Sequence, residues 1–203
     1  MKIQRKDLKF LGACAAELGL GCIAIGLGWM FGLDPRNRMP SMLDFPGIAM
    51  GVGMGAIAGA LLAFLMMLVP KIPFDAIQSF NEKTVRQLVR LLNDFSTPQM
   101  IAVALTAGVG EELLFRGWLM QALTGNMRHC SWEENAVGIA ISSLAFGFAH
   151  PINWTYVVLA TLMGSVFGIL YWYFDNLLVP IAAHWIYDAI IMIWLMRSQK
   201  APE

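Results

Sequence analysis

The apolar positions of the chain gather into long, nearly uninterrupted stretches. A helix needs about 20 mostly apolar residues to cross a bilayer. Six segments meet or approach this length: Leu11–Leu33, Gly47–Val69, Met100–Leu123, Ala136–His150, Trp154–Phe174 and Leu177–Met196. The pattern predicts an all-α fold, a polytopic transmembrane helical bundle of about six spans. With no repeat or linker in the sequence, we expect residues 1–203 to form a single membrane domain.

Residues 72–95, between the second and third spans, are mixed rather than apolar. Their apolar side chains recur at helical spacing, with basic residues on the other faces: Ile77, Phe80, Val85, Leu88, Val89 and Leu92 against Lys83, Arg86 and Arg90. This pattern predicts an interfacial amphipathic helix on the inner membrane surface, with a partner-binding helix as the alternative. Ser96 or Thr97 followed by Pro98 is typical of a helix start, so the third span should begin there.

Small residues recur every fourth position in two of the spans. The positions concerned are Gly47, Gly51, Gly55 and Gly59 in the second span, and Gly164 and Gly168 in the fifth. Such stripes let helices approach closely in lipid, where apolar burial gives little driving force for association. We expect them to serve packing within the chain rather than a dimer interface.

The composition agrees with a membrane protein and excludes several other classes. Hydrophobic residues make up 58% and charged residues 14% of the chain, against about 25% charged residues in soluble domains. Lys plus Arg equals Asp plus Glu at 14 each, so no basic excess points to nucleic acid. Cys14, Cys22 and Cys130 have no metal-ligand spacing, and we expect structural roles for them.

The basic residues predict how the chain is oriented. With the N-terminus inside, ten lie in inner segments, namely Lys2, Arg5, Lys6, Lys9, Lys71, Lys83, Arg86, Arg90, Arg197 and Lys200. Three lie in outer loops, Arg36, Arg38 and Arg128, and Arg116 lies within a span. The positive-inside rule therefore predicts six spans with both termini cytoplasmic. The first apolar stretch is long and interrupted by Glu17, so we interpret it as a retained span rather than a signal peptide.

The third span carries three charged residues that a bilayer should exclude. Glu111, Glu112 and Arg116 lie near its middle, and three unpaired central charges would cost on the order of 8–10 kcal/mol. Glu112 and Arg116 are four apart and share a helix face, which predicts an ion pair. Glu111 points about 100° away from Glu112, so we expect its carboxylate to face the interior of the bundle.

Two other spans supply polar partners. His150 ends the fourth span, and His184 and Asp188 are four apart in the sixth. We expect Glu111, His150, His184 and Asp188 to converge on one polar cavity, because intramembrane ionisable residues are functional by default. His129 is expected in a solvated loop, and Glu17 is expected to bond to a neighbouring helix only.

These residue types suit hydrolysis of a peptide bond. In a low-dielectric cavity Glu111 could take and return a proton, and with His150 it could deprotonate a water. His184 could stabilise the oxyanion, while Asp188 would orient His184 or, if protonated, donate to the oxyanion itself. A zinc site of two histidines and a carboxylate ranks lower, because no His-Glu-x-x-His motif is present. Ser142, Ser143 and Ser165 have no recognisable nucleophile setting.

Three motifs in order carry a family resemblance. Glu111-Glu112-x-x-x-Arg116, Phe146-x-x-x-His150 and His184-x-x-x-Asp188 resemble the CPBP family of intramembrane proteases, which includes type II CAAX prenyl endopeptidases and bacterial Abi proteins. The resemblance implies a catalytic core over residues 97–196. It also implies that Glu111 and His150 activate water while His184 and Asp188 contribute to oxyanion stabilisation. The CAAX enzymes typically have Asn where this chain has Asp188.

The leading hypothesis is an intramembrane, glutamate-dependent endopeptidase that needs no cofactor. Its partners would be the lipid bilayer and a membrane-associated peptide or protein substrate. The small size of the chain and its resemblance to a family with many bacterial members indicate a bacterial inner membrane. The alternative is a non-proteolytic membrane protein such as an immunity factor, scaffold or transporter. The hypothesis requires the fourth helix to end deep in the bundle, with Pro151 starting a re-entrant stretch that brings His150 within about 8 Å of Glu111, the reach of one bridging water.

Overall fold

A computed structural model describes residues 5–71, 75–125 and 130–198 of the chain. Every regular element in these ranges is helical. The α-helices are α1 Arg5–Phe31, α2 Phe45–Leu68, α3 Asp75–Leu92, α4 Thr97–Glu112, α5 Gln121–Thr124, α6 Trp132–Phe148, α7 Trp154–Phe174 and α8 Leu178–Ser198. A short 3-10 turn, Val69–Lys71, ends α2, and a π-helical segment, Leu113–Met120, joins α4 to α5. The predicted all-α bundle is confirmed.

Four of these helices are long and apolar enough to cross a membrane by length and composition. They are α1, α2, α7 and α8. The other two expected spans are also helical: the third is continuous through α4, the π-helical segment and α5, and the fourth, the shortest of the six, is the 17-residue helix α6. Large apolar side chains on the long helices are exposed, as lipid-facing positions require, for example Leu11, Ile57, Phe64, Val158 and Leu162.

The last helix, α8, is the centre of the bundle. It packs along α2 on one side and along α4 on the other. The first helix packs over α4 and the π-helical segment. Helices α6 and α7 form a helical hairpin and pack against each other. Because α4 and α8 carry most of the candidate ionisable residues, this arrangement places those residues inside the protein rather than against lipid.

The glycine stripe of α2 packs against the backbone of α8. A side chain at Gly55 would collide with the Val179 carbonyl, and one at Gly59 would collide with the carbonyl of Ala183. The glycines therefore let α2 approach the turn of α8 that immediately precedes His184. Packing of this stripe within the chain is confirmed for Gly51, Gly55 and Gly59, all of which are buried.

The predicted start of the third span is also confirmed. Ser96 precedes α4, and its backbone N–H donates to Gln99 Oε1 over 2.9 Å. The amphipathic segment forms α3, although its placement on the membrane surface stays a prediction. His129 and Arg128 lie outside the described residues, as do the side chains of Ile77, Phe80 and Lys83.

Candidate active site

The π-helical segment comes directly after the two glutamates of α4. A π-turn closes hydrogen bonds to the fifth residue rather than the fourth and is frequent at functional sites. Glu111 is 6% exposed, and Glu112 and Arg116 are both fully buried. All three side chains therefore lie inside the bundle, although the two glutamates are adjacent in sequence.

The expected ion pair lies at the centre of the site. Arg116 Nη1 donates to Glu112 Oε1 over 2.8 Å, and Nη2 donates to the Gly164 carbonyl over 2.8 Å. The guanidinium carbon also lies 4.6 Å from the centre of the Phe146 ring. A buried charge is tolerated when it is paired and hydrogen-bonded, and the face of an aromatic ring adds further attraction. Arg116 thereby joins the π-helical segment to α6 and α7.

His184 extends this pair into a chain of alternating charges. Its Nδ1 lies 2.9 Å from Glu112 Oε1, and its Nε2 lies 3.4 Å from Asp188 Oδ2. Its ring stacks on Phe167, with centroids 4.9 Å apart and planes 17° apart. Since an ionised carboxylate only accepts hydrogen bonds, an imidazolium satisfies both contacts. The order Arg116, Glu112, His184, Asp188 is then positive, negative, positive, negative.

Sequence spacing alone did not reveal the contact between Glu112 and His184. The two residues are 72 positions apart, and helix periodicity predicts only neighbours within one helix. No local signal in the sequence could have found it, because the contact depends on how α4 packs against α8.

Glu111 has a different partner. Its Oε1 lies 3.6 Å from His150 Nε2. The other ring nitrogen, Nδ1, lies 2.8 Å from the Phe146 carbonyl oxygen, which can only accept. Nδ1 therefore carries the proton in the neutral ring, and Nε2 presents a lone pair towards Glu111. The expected approach of His150 to within about 8 Å of Glu111, the reach of one bridging water, is met.

The turn of the chain after α6 brings His150 close to Glu111. α6 ends at Phe148, and the backbone N–H of His150 donates to the Gly147 carbonyl over 3.0 Å. Helix α7 then begins at Trp154, capped by Asn153, whose side-chain oxygen accepts from the Tyr156 N–H over 3.0 Å. Pro151 lies in the non-helical link that separates the two helices, as expected from the sequence.

A cavity of about 280 Å³ adjoins the four candidate residues. His150, His184 and Asp188 line it, and Glu111 approaches it through His150. The remaining lining is mostly apolar and comes from α3, α7 and α8, for example Leu88, Leu159, Met163, Ile191 and Met192. The amphipathic segment thus forms one wall of the cavity, which its sequence pattern did not predict.

Helix α3 is attached to this wall by a polar contact. Asn153 Nδ2 donates to Thr84 Oγ1 over 3.0 Å, and Thr84 is 5% exposed. The residue that caps α7 therefore also holds α3 in place. Asn153 lies three residues after His150, in the link between α6 and α7.

The other candidates have local roles. Ser142 and Ser143 donate to the Ile139 carbonyl, and Ser165 donates to that of Thr161, so each hydroxyl bonds to its own helix. Within residues 5–71, 75–125 and 130–198, no three His, Cys, Asp or Glu side chains are arranged to hold a metal ion. Glu17 packs with its backbone against Gly110, one residue before Glu111.

Comparison with known proteins agrees with the motifs. Residues 93–190 match the family described as Type II CAAX prenyl endopeptidase Rce1-like. A curated relative, the uncharacterized protein YpbD of Bacillus subtilis (strain 168), is 28% identical over 104 residues. That alignment covers 50% of this chain and 48% of YpbD, so the chain spans about half the length of the curated relative it matches. No solved structure matches.

The matched segment contains all of the candidate site residues. It begins just before α4 and ends two residues after Asp188. With the four apolar helices, the match shows an integral membrane protein. Residues 93–190, just under half of the chain, are therefore similar to the type II CAAX prenyl endopeptidases of the Rce1-like family.

Proposed function

We propose that the protein is an intramembrane endopeptidase in which Glu111 and His150 activate a water for attack on a peptide bond. The observation that carries the proposal is the 3.6 Å separation of Glu111 Oε1 and His150 Nε2. Both atoms are acceptors when Glu111 is ionised and His150 is neutral. A water can donate one hydrogen to each of them, so the pair can both hold and polarise it.

In the first step, the water oxygen attacks the peptide carbonyl carbon and Glu111 takes a proton from the water. The carbonyl π bond breaks, and its electron pair moves to oxygen to form an oxyanion. His184 lines the cavity, and its Nε2 can donate a hydrogen bond to this oxyanion. Asp188, next to Nε2, orients the ring. Glu112 holds the opposite ring nitrogen, so the donor is fixed before substrate binds.

In the second step, the oxyanion re-forms the carbonyl and the carbon–nitrogen bond breaks. Glu111 returns its proton to the leaving nitrogen, which departs as an amine. The other product is a carboxylic acid, so atoms and charges balance with one water consumed. No cofactor enters this scheme.

The cavity supports a membrane-associated protein or peptide as the substrate. Its lining is largely apolar, and the helices that form it belong to a membrane protein. An extended peptide carrying apolar side chains would bury them there, which gives about 25 cal/mol for each Å² of apolar surface removed from water. The proposed catalytic core comprises residues 97–196, with α3 closing the cavity from outside this range.

The test is cleavage of quenched-fluorescent reporter peptides by the purified full chain in lipid nanodiscs. We expect Glu111→Gln to abolish measurable cleavage, while Glu133→Gln, the same substitution at an exposed position in the first turn of α6, leaves it unchanged. Retained cleavage in Glu111→Gln would overturn the proposed mechanism. Loss of cleavage on chelation, restored by zinc, would favour the zinc alternative. Specific ligand binding without any cleavage would favour a transporter, scaffold or immunity factor.

We further propose a bacterial inner membrane location with both termini in the cytoplasm. The proposal is supported by the ten basic residues in inner segments against three in outer loops. Reporter fusions at the C-terminus distinguish the two sides of the membrane. Activity of a periplasm-dependent reporter at that position would contradict the orientation.

A further inference from the structure

The proposed reaction leaves the oxyanion short of hydrogen-bond donors. His184 Nδ1 is occupied by Glu112, and His184 Nε2 also faces the Asp188 carboxylate at 3.4 Å. An ionised Asp188 cannot donate, and its negative charge would repel a nearby oxyanion. A second donor must therefore come from another group that lines the cavity.

Three residues that line the cavity carry a hydroxyl group: Thr84, Tyr156 and Tyr187. The Thr84 oxygen already accepts from Asn153 and ties α3 to the start of α7. This is the one hydrogen bond that the Thr84 side chain makes among the described residues, and no hydrogen bond joins it to Glu111 or to either histidine of the site. The two tyrosines remain as candidates.

The position of Tyr156 distinguishes it from Tyr187. The Tyr156 ring centroid lies 6.2 Å from that of His150, in a tilted arrangement. Tyr187 makes no such ring contact with either histidine of the site among the described residues. Tyr156 therefore lies beside the water-activating histidine, in the cavity that His184 and Asp188 also line and where a scissile carbonyl would bind.

The backbone of Tyr156 is hydrogen-bonded, whereas its side-chain hydroxyl is not bonded to any described residue. Its N–H donates to the Asn153 cap over 3.0 Å, which fixes the first turn of α7. Within the part of the chain that the structure describes, its hydroxyl makes no hydrogen bond to another residue. The O–H can therefore donate into the cavity without breaking an existing contact.

We propose that Tyr156 is a further catalytic residue whose hydroxyl donates a hydrogen bond to the oxyanion. This inference rests on the proposed function. The proton stays on the tyrosine oxygen throughout, so no bond to Tyr156 forms or breaks. The residue compensates for an acidic side chain at position 188, which cannot act as a donor while it is ionised.

The test compares kcat and KM of the full chain in nanodiscs for Tyr156→Phe and for its control, Tyr173→Phe, a tyrosine of the same helix that is 74% exposed and does not line the cavity. Removal of one oxyanion donor lowers kcat by about 10²–10³-fold. We expect this loss for Tyr156→Phe with KM little changed, and near wild-type kcat for Tyr173→Phe. Wild-type kcat in Tyr156→Phe, a loss confined to KM, or an equal loss in both variants would overturn the inference.

A double substitution tests the same donor role more strictly. Asp188→Asn introduces an amide N–H at the position where an ionised carboxylate cannot donate. In an Asp188→Asn background, we expect Tyr156→Phe to lower kcat by a smaller factor than in the parent. An unchanged factor would show that the two positions act independently and would contradict the inference.

A second measurement covers poor folding of Tyr156→Phe. Replacing Tyr156 by 3,5-difluorotyrosine keeps the ring and makes the phenol a stronger acid. We expect a change in the pH–rate profile, which a structural role alone would not produce, and an unaltered profile would oppose a donor role. Failure of the proposed function is recognised separately, because Glu111→Gln then retains cleavage whatever Tyr156→Phe does.

Discussion

Glu111 and Glu112 are adjacent in sequence and both buried, yet their surroundings are opposite. Glu112 Oε1 accepts from Arg116 over 2.8 Å and lies 2.9 Å from His184 Nδ1, so two cationic groups hold it. Glu111 faces the single ring of His150 at 3.6 Å, beyond ordinary hydrogen-bond distance. The difference indicates that a carboxylate fixed on two sides stabilises the structure, whereas one with a single loose partner is available for proton transfer.

The same contrast extends to the two histidines. His184 stacks on Phe167 and has a carboxylate near each nitrogen, so its ring is constrained on every side. His150 is bonded at Nδ1 only, and its side chain is 25% exposed. The tightly held Glu112 therefore contacts the tightly held His184, and the loosely held Glu111 faces the loosely held His150. The site divides into a fixed half, Glu112 with Arg116 and His184, and a reactive half, Glu111 with His150, and substitutions in each half can test this division.

The largest effect is expected for the reactive half. Glu111→Gln removes the group that takes and returns the proton, and such groups contribute about 10²–10⁴-fold to the rate. We expect kcat to fall by at least that factor while the midpoint of thermal unfolding in detergent stays near that of the parent. The measurement pairs cleavage of the reporter peptide with a thermal unfolding curve. A large drop in the unfolding midpoint would show that Glu111 belongs to the fixed half and would contradict the division of the site.

The fixed half should respond in stability instead. Arg116→Met leaves Glu112 buried with His184 as its remaining cation, and removing one partner of a buried pair costs about 3–5 kcal/mol. We expect a loss of this size in the free energy of unfolding. The double variant Glu112→Gln with Arg116→Met should be less destabilising than the sum of its parts, because no unpaired charge from the original pair is left. Full additivity would mean that the two side chains do not act as a pair.

Helix periodicity accounts for the part of this site that the sequence predicts. The pairs Glu112–Arg116 and His184–Asp188 are each four apart, and both contacts form. His150 was expected near Glu111 only because the resemblance and the chemistry required it. The link from Glu112 to His184 joins distant helices and depends on how α4 crosses α8, which no local pattern specifies.

For the fold, too, the sequence predicts the helices but not how they pack. Long apolar runs predict membrane helices because the bilayer imposes their length. The expected third span is helical throughout, as α4, the π-helical segment and α5, but the π-helical turns inside it are not visible in the apolar pattern. The function of α3 as a cavity wall depends on tertiary packing, so its amphipathic pattern equally suited a surface helix.

An intermediate effect is expected where α2 supports the fixed half. Gly59→Ala introduces a methyl group that collides with the carbonyl of Ala183, the residue before His184. Overpacking of this kind costs about 1–3 kcal/mol, so we expect a corresponding loss in the free energy of unfolding. Gly53→Ala is the matched control on the same helix, because nothing lies within 4 Å of a side chain at that position. Equal effects of the two substitutions would show that α2 does not press on α8 near His184.

The smallest effect is expected at the attachment of α3, on the reactive side. Thr84→Val removes the acceptor of the 3.0 Å hydrogen bond from Asn153 while keeping the shape of the side chain. A hydrogen bond of this kind contributes about 0.5–1.5 kcal/mol, so the fold should persist. We expect instead a few-fold loss in kcat/KM, because the wall of the cavity beside His150 is less firmly held. Thr155→Val, at an exposed position in the first turn of α7, is the control. If Thr84→Val lowered stability as strongly as Arg116→Met, α3 would belong to the fixed half rather than to the cavity it closes.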